Sequence, residues 1–257
     1  MKTLKKILYK ILGKRYYYLF VSKAFFILYR SGLLKASRKF EYHYYVKDLI
    51  EPGYHVIDIG ANMGYYTKIF ARECGIKGQV YAIEPVALFR EVLERNVRKL
   101  DNIRIYPFAL GKEDGKKIKM GIPGGAEKHR HGLTKVLDNE NYREKDDLFE
   151  ATMHTPDHLF GNIERCDYIK CDVEGYEIYV IPLFEKIITE HRPLLQVETN
   201  TGSRKVIIPL LEKLGYRAYH IMNKELKVYE QESRPAGDLI FLPGEHTSVH
   251  GSVNATV

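Results

Sequence analysis

The stretch Val56–Thr67, VIDIGANMGYYT, joins a short β-branched run to a segment with helical character. The run predicts a buried strand that ends at Gly60, and the segment predicts a helix that begins at Tyr65. Gly60 and Gly64 let the backbone approach a ligand, and a side chain at Gly60 would meet that ligand or strain the backbone. In a doubly wound sheet such a turn lies at the carboxyl ends of the strands, where ligands bind. We therefore interpret the stretch as a ligand-binding turn, the alternative being a tight connection without a ligand.

Strands and helices alternate along the chain around this turn. Runs rich in β-branched and aromatic residues predict strands at 55–59, 79–83, 103–108, 167–171, 194–197, 216–222 and 238–242. Apolar residues near helical spacing predict helices at 65–74, 87–100 and 206–214. Strand, helix and strand in succession form parallel βαβ units. The fold class is therefore α/β, with a doubly wound, mostly parallel sheet and helices on both faces.

Length and composition exclude several classes of protein. The chain has 257 residues, of which 45% are hydrophobic and 28% charged, so it is neither a disordered nor a collagen-like sequence. Its three cysteines, Cys74, Cys166 and Cys171, show no C-x-x-C spacing. This number and spacing favour neither a disulfide framework nor a zinc site, and indicate a reducing, cytoplasmic compartment.

The chain divides into an arm, a domain and a tail. Residues 1–40 form a basic arm, 41–244 a domain, and 245–257 a tail that we expect to be disordered because it lacks an apolar pattern. Residues 111–157 interrupt the domain with several glycines and a His129–His131 cluster. This insertion is longer than an ordinary connection, so we expect a functional loop or lid, the alternative being a surface insertion.

An acidic residue supports the ligand interpretation of the turn. Glu84 ends the second predicted strand, 24 residues after Gly60, where an acid commonly binds ribose hydroxyls. The G-x-x-x-G spacing differs from the dinucleotide fingerprint, because Asn62 stands in place of its second glycine. Asp58 before the turn suits a cationic or amine-bearing ligand better than a phosphate. These features indicate an adenosine-containing cofactor, although Glu84 alone could simply cap the next helix.

Further motifs follow in order: Glu84-Pro85, Ala109-Leu110-Gly111, Ile169–Glu177 (IKCDVEGYE) and Val197-Glu198. Together with Asp58–Thr67 they resemble the successive signatures of the FkbM-type methyltransferases, which are class I S-adenosylmethionine-dependent enzymes. The resemblance runs from about Val46 to Leu242. It implies a seven-stranded Rossmann-like sheet with a reversed final hairpin, and methyl transfer, most often to a hydroxyl of a sugar or natural product. Cys171 departs from the aliphatic residue that is frequent there, and the arm and the insertion lie outside the pattern.

The resemblance assigns a cofactor site for S-adenosylmethionine. Asp58 and the backbone of the glycine turn would accept hydrogen bonds from the amino-acid part, Glu84 would bind the ribose, and the adenine would lie near the end of the third strand. The predicted cofactor residues are Asp58, Gly60, Ala61, Asn62, Gly64, Glu84, Pro85 and Ala109.

Four residues are candidates for removing a proton from a hydroxyl acceptor: Asp172, Glu174, Glu198 and His131. Asp172 and Glu198 end neighbouring strands, so both can point into one cleft and share a proton, orient a hydroxyl or bind a divalent metal. We expect no metal, because no ligand cluster with firm spacing appears. Three of the four have an alternative role. Glu174 would serve only the first turn of the next helix through the helix dipole. Glu198 would only bond to backbone, and His131 would be solvated in a loop.

The same residues disfavour two other functions and leave two alternatives open. A nicotinamide-dependent oxidoreductase is disfavoured by the glycine spacing. Base methylation of nucleic acid is disfavoured because Asp172 is not followed by a Pro-Pro-aromatic run, so nucleic acid is not the expected partner. Ribose-directed nucleic-acid methylation and a non-catalytic adenosine-cofactor-binding module remain alternatives. The preferred acceptor is a hydroxyl of a small molecule or glycan, above all a sugar in a surface glycan.

The arm holds eleven lysines and arginines and no acidic residue, whereas the rest of the chain holds 29 basic and 33 acidic residues. An apolar stripe at helical spacing predicts an amphipathic helix that ends at Gly13: Leu4, Ile7, Leu8, Ile11 and Leu12. We expect residues 1–15 to bind an anionic membrane surface, peripherally on the inner face of the cell membrane, since no apolar run is long enough to span it. Residues 20–34 would pack on the sheet's helices or on a second copy in a homodimer.

Overall fold

The computed structural model describes residues 2–122, 135–136, 147–222, 224–230 and 236–244. The strands are β1 His55–Ile59, β2 Gln79–Ile83, β3 Ile103–Tyr106, β4 Phe108–Leu110, β5 Lys116–Ile122, β6 Lys135–Val136, β7 Asp147–His154, β8 Tyr168–Cys171, β9 Leu194–Asn200, β10 Tyr216–Met222, β11 Glu225–Val228 and β12 Ala236–Pro243. The helices are α1 Lys2–Arg30, α2 Glu41–Tyr45, α3 Tyr65–Glu73, α4 Ala87–Val97, α5 Pro156–Phe160, α6 Glu177–Val180, α7 Glu185–His191 and α8 Thr201–Lys213.

The main sheet has the order β11-β10-β12-β9-β8-β1-β2-β3. The five strands from β9 to β3 are parallel, and β12, β10 and β11 are antiparallel to their neighbours. This order confirms the doubly wound α/β fold with its reversed final hairpin. The sheet has eight strands instead of seven, because β11 folds back on β10 and extends the edge. The chain order reverses between β1 and β8, which is where such sheets bind ligands.

Helices cover both faces of this sheet. One face carries Ile57, Ile59 and Ile169, which pack against α6, α7 and α8. The other carries Val56 and Tyr168, which pack against α3 and against aromatic residues of α1. Two apolar layers therefore hold β1 and β8 rigidly at the centre of the molecule.

The third strand is shorter than predicted. β3 ends at Tyr106, and Pro107 separates it from β4, because a proline cannot donate a hydrogen bond to the ladder. β4 joins a second sheet of order β4-β7-β5-β6, so the described part of the 111–157 insertion is built on strands. His131 and the tail 245–257 lie outside the described residues.

Helix α8 begins earlier than predicted, at Thr201 instead of 206. The Asn200 side chain accepts hydrogen bonds from the backbone N–H groups of Gly202 and Ser203, at 2.9 and 3.0 Å. Ser203 returns a bond by accepting from the Asn200 N–H, which completes a capping box. This cap starts the helix over residues whose own helix propensity is low.

The arm is a helix that is interrupted where the sequence predicts its end, since Gly13 has a φ of 71° and a ψ of 165°. Beyond this break, Tyr18 is fully buried and packs edge-on against Phe89 of α4, with ring centroids 5.4 Å apart. The second half of α1 therefore packs on the sheet's helices. No helix in the described part of the chain combines the length and hydropathy that crossing a bilayer requires.

Replacing Tyr18 by Ala should lower the free energy of unfolding by about 3–5 kcal/mol, because it removes a large buried aromatic ring between α1 and α4. Urea denaturation measures the change. The matched control is Tyr16→Ala, whose side chain is 61% exposed, and it should stay within about 0.5 kcal/mol of the natural chain. Equal stability of the two variants would show that α1 does not dock on the domain.

Candidate cofactor and acceptor site

The ends of β1 and β8 come so close together that only a glycine fits at position 60. Gly60 has a φ of +78°, and a Cβ added there would lie 1.9 Å from the carbonyl oxygen of Asp172, which follows β8. The clash predicted for a Gly60 side chain is therefore with the protein's own backbone. Gly64 likewise has a φ of +80°, and its Cβ would lie 2.4 Å from Leu93 Cδ1 in α4. The turn thus needs both glycines for its packing.

Asn62 takes the left-handed conformation that a glycine would adopt, with a φ of 50°. Its side-chain oxygen accepts a hydrogen bond from the Met63 N–H at 2.8 Å. Asparagine tolerates this region because its short polar side chain can bond locally. The missing second glycine therefore leaves the shape of the turn intact.

Asp58 is fully buried at the end of β1. One carboxylate oxygen accepts a hydrogen bond from Thr67 Oγ1 at 2.6 Å, and the other finds no partner among the described residues. Burial raises the pKa of Asp58, and the nearby Lys170 ammonium opposes that shift. Because an orphaned buried acceptor is costly, this oxygen suits a donor on a ligand, such as the ammonium of S-adenosylmethionine.

Glu84 holds the backbone just before α4 and faces the cavity. Its two carboxylate oxygens accept the N–H groups of Asn62 and Val86, at 2.7 and 2.8 Å. Burial raises the pKa of Glu84 to about 7, against the effect of these two bonds. Each oxygen keeps a further lone pair, so the carboxylate can still accept a ribose hydroxyl. The helix-cap alternative does not hold, because no side chain that the structure describes caps the first turn of α4.

A cavity of about 720 Å³ lies over the turn. Seven predicted cofactor residues line it: Asp58, Gly60, Ala61, Asn62, Glu84, Pro85 and Ala109. Gly64 instead packs against α4. The candidate catalytic residues Asp172 and Glu174 also line the cavity. Another cavity, of about 930 Å³, is bordered mainly by residues 29–48 and α3 and contains none of the predicted site residues.

Lys170 lies at the centre of the acidic groups, and sequence reasoning did not single it out. Its side chain is 2% exposed, and its ammonium donates to Asp172 at 2.8 Å. Burial alone would lower the pKa of Lys170, but Asp172, Asp58 and Asp238 outweigh burial and raise it. Lys170 therefore stays charged. The sequence feature that could have revealed it is a lysine inside an otherwise apolar strand.

Asp172 and Glu198 form a coupled pair, as the sequence predicts for two neighbouring strand ends. Burial and the Asp172 charge raise the pKa of Glu198. Burial would also raise the pKa of Asp172, but Lys170 and a hydrogen bond from Glu198 lower it. At neutral pH Asp172 is therefore ionised, and Glu198 is protonated and donates to it. Of the two, only Asp172 lines the cavity, so the prediction that both carboxyl groups point into one cleft is wrong for Glu198, which lies behind Asp172.

Two further acids shape the loop after β8. Oxygens of Asp172, Glu174 and Glu198 lie within 4.8 Å of one another, a spacing that could hold a metal ion. Glu177 is buried and accepts the N–H groups of Val173 and Gly175, at 2.9 and 3.1 Å. Glu177 thus fixes the loop that presents Glu174 to the cavity.

His43 is a second site residue that the sequence did not predict. Its ring, on α2, stacks on Tyr66 with centroids 4.1 Å apart, and it lines the cavity. Its Nδ1 is buried without a partner among the described residues. Burial and the Lys170 charge lower the pKa of His43 to about 3, so the ring is neutral. No local pattern links α2 to the cavity, because only the tertiary fold brings them together.

Residues 58–218 match the model of the methyltransferase FkbM domain, and the chain belongs to that family. It is an S-adenosylmethionine-dependent methyltransferase, as the sequence motifs imply, and the orphaned Asp58 oxygen fits that cofactor. No curated protein sequence matches the chain.

Several solved structures are similar to this chain. Methyltransferase FkbM from Methylobacillus flagellatus KT is 17% identical with a TM-score of 0.47, and the match covers 74% of this chain and 43% of the Methylobacillus chain. A putative rRNA methylase from Clostridium thermocellum is 9% identical with a TM-score of 0.48, over 78% and 92%. A putative O-methyltransferase from Klebsiella pneumoniae is 13% identical with a TM-score of 0.45, over 81% of both chains. The chain thus spans less than half the length of the Methylobacillus protein.

Replacing Glu84 by Ala should weaken S-adenosylmethionine binding by about 1.5–3 kcal/mol, because a charge-assisted acceptor for the ribose is lost. Calorimetry measures the affinity, and Glu94→Ala, an exposed change on α4, is the control. In the natural chain the affinity should fall as the pH drops through about 7, since the protonated Glu84 is the poorer acceptor. Glu84→Gln should lose that dependence. Natural affinity in Glu84→Ala would refute the predicted ribose site.

Proposed function

We propose that the protein methylates a hydroxyl group of a sugar in a surface glycan or a related metabolite. The observation that carries the proposal is the ionised Asp172 carboxylate, which lines the cavity beside the glycine turn. A hydroxyl acceptor must lose its proton during methyl transfer, and a base at this position can accept it. General-base assistance of this kind is worth about 10²–10⁴-fold in rate.

The surrounding residues keep that base ready. Bound S-adenosylmethionine supplies a methyl group on a positively charged sulfur. Lys170 holds Asp172 in its ionised form, and the proton on Glu198 occupies one acceptor position and orients the carboxylate. Holding the acceptor oxygen in line with the methyl group, with the base beside the hydroxyl proton, would contribute further acceleration through alignment.

Ribose methylation of nucleic acid is the second candidate, and the basic arm is the observation that favours it. Outside the arm the chain has four more acidic than basic residues, which disfavours a polyanionic acceptor at the cavity. A non-catalytic module would bind the cofactor without transferring methyl groups. A transfer assay with tritiated S-adenosylmethionine against glycans and RNA separates the three functions.

The outward face of α1 supports a peripheral position on an anionic membrane. Leu8 and Leu12 of the predicted stripe pack towards α4, whereas Ile7 and Ile11 are 50% and 75% exposed. Farther along, Tyr16, Phe20 and Ile27 continue as exposed apolar residues. Lysines and arginines lie between these residues, and each one near an anionic leaflet adds about 1 kcal/mol to the free energy of membrane binding. The enzyme would then act on the cytoplasmic side, where a lipid-linked glycan is within reach.

Replacing Asp172 by Asn should lower the rate of methyl transfer about 10²–10⁴-fold, because the amide cannot accept the hydroxyl proton. Affinity for S-adenosylhomocysteine should stay close to natural, and the exposed Asp101→Asn change should alter neither quantity. EDTA should leave the rate unchanged, since Lys170 and the Glu198 proton already balance the acidic cluster. Full turnover of Asp172→Asn would remove Asp172 from the reaction.

The natural protein should float with phosphatidylglycerol vesicles at low salt and less so at high salt, where the charges are screened. The double variant Ile11→Ser, Ile27→Ser should float less, because it loses two exposed apolar contacts. Ile76→Ser, at a residue that is 98% exposed outside α1, is the matched control. A natural protein that stays with the buffer even at low salt would contradict the membrane position.

A further inference from the structure

The cavity has a second wall that is built by the N-terminal helices. Nine of the described residues before His55 line it, and seven of them are apolar: Phe20, Val21, Ala24, Phe25, Leu28, Leu34 and Phe40. Such a wall offers few partners for the hydroxyl groups of a free sugar, which would be left without hydrogen bonds. The wall therefore favours an apolar part of the acceptor.

Another part of the cavity is polar. Asp172, Glu174 and Lys170 contribute charged groups at the end of β8, and the neutral His43 ring stands on α2 beside Tyr66. The space is thus amphipathic, with a polar part for a reacting hydroxyl and an apolar part along α1.

The apolar wall continues onto the protein surface. Phe20 and Leu28 line the cavity and are also 52% and 39% exposed. Ile27, next to Leu28, is 67% exposed and belongs to the outward face of α1. A chain that leaves the cavity between Phe20 and Leu28 would therefore meet the face that we propose for the membrane.

We propose that the acceptor is an amphiphile whose hydroxyl lies at Asp172 and whose aliphatic chain lies along Phe20, Ala24 and Leu28. This inference rests on the proposed hydroxyl methylation and names the class of its substrate, a lipid-linked sugar or a lipid-like alcohol. The acceptor oxygen forms the new bond to the methyl carbon, the electron pair of the broken carbon–sulfur bond stays on sulfur, and Asp172 takes the hydroxyl proton.

The test uses methyl, butyl, hexyl and octyl glucosides below their micelle concentrations and the matched n-alkanols below their solubility limits. Calorimetry in the presence of S-adenosylhomocysteine measures their binding, and tritium transfer from S-adenosylmethionine measures the reaction. Affinity should rise about threefold to fourfold per added methylene until the wall is covered, because each methylene leaves water. Leu28→Asn should flatten this dependence, whereas Ile76→Asn, an exposed change outside the cavity, should preserve it. Binding of S-adenosylhomocysteine shows that each variant is folded.

The outcomes separate the inference from the proposed function. Methyl transfer that is independent of chain length overturns the amphiphile inference and leaves hydroxyl methylation standing. Affinity that rises with chain length, without transfer to any hydroxyl, supports the apolar acceptor wall and refutes hydroxyl methylation. Failure of both series to bind, or an equal chain-length dependence in the Leu28→Asn variant, overturns the inference.

Discussion

A single buried ammonium group, that of Lys170, balances the acidic side chains at the centre of the sheet. Lys170 pairs with Asp58 in the parallel register of β1 and β8. Its Nζ donates a hydrogen bond to Asp172, two residues later. The ring of Tyr66 lies 4.6 Å from this charge. Without the ammonium, the fully buried Asp58 and the partly buried Asp172 would lose the charge that compensates their own, which is strongly destabilising for a carboxylate in a protein interior. The cofactor turn and the residue that we propose as the base therefore depend on the same side chain.

The close approach of β1 and β8 ties the two halves of the site together. Gly60 faces the carbonyl of Asp172 at a distance that leaves no room for a Cβ, and the Asp172 N–H donates to Ile59 at 3.0 Å. A change in the turn is thus transmitted directly to the residue that would accept the acceptor's proton. The predicted cofactor turn and the proposed base share one backbone contact at the point where the strand order reverses.

The sequence predicted most reliably the elements in which local pattern and tertiary role agree. β1, β2 and β10 have their predicted bounds, because β-branched and aromatic runs fill strands that are largely buried. Pro107 ended the third strand early, and β11 was missed because its four residues are too few to establish a strand pattern. The Asp172–Glu198 pair could be foreseen because both residues end adjacent strands. A lysine inside an apolar strand was visible at position 170, but its register with Asp58 and the α1 wall of the cavity depend on segments that are distant in the chain and could not be foreseen.

Carbon-13 NMR of labelled carboxyl groups tests the charge-balanced centre most directly. The difference between the natural protein and Glu198→Gln assigns the Glu198 signal, and Lys170→Met removes the balancing charge. The account predicts that Glu198 loses its proton only near pH 9, while Asp172 is ionised throughout the neutral range and becomes harder to ionise in Lys170→Met. If Glu198 is already ionised at its ordinary pKa near 4.3 and Lys170→Met leaves Asp172 unchanged, the two carboxylates share no proton and Lys170 does not control them.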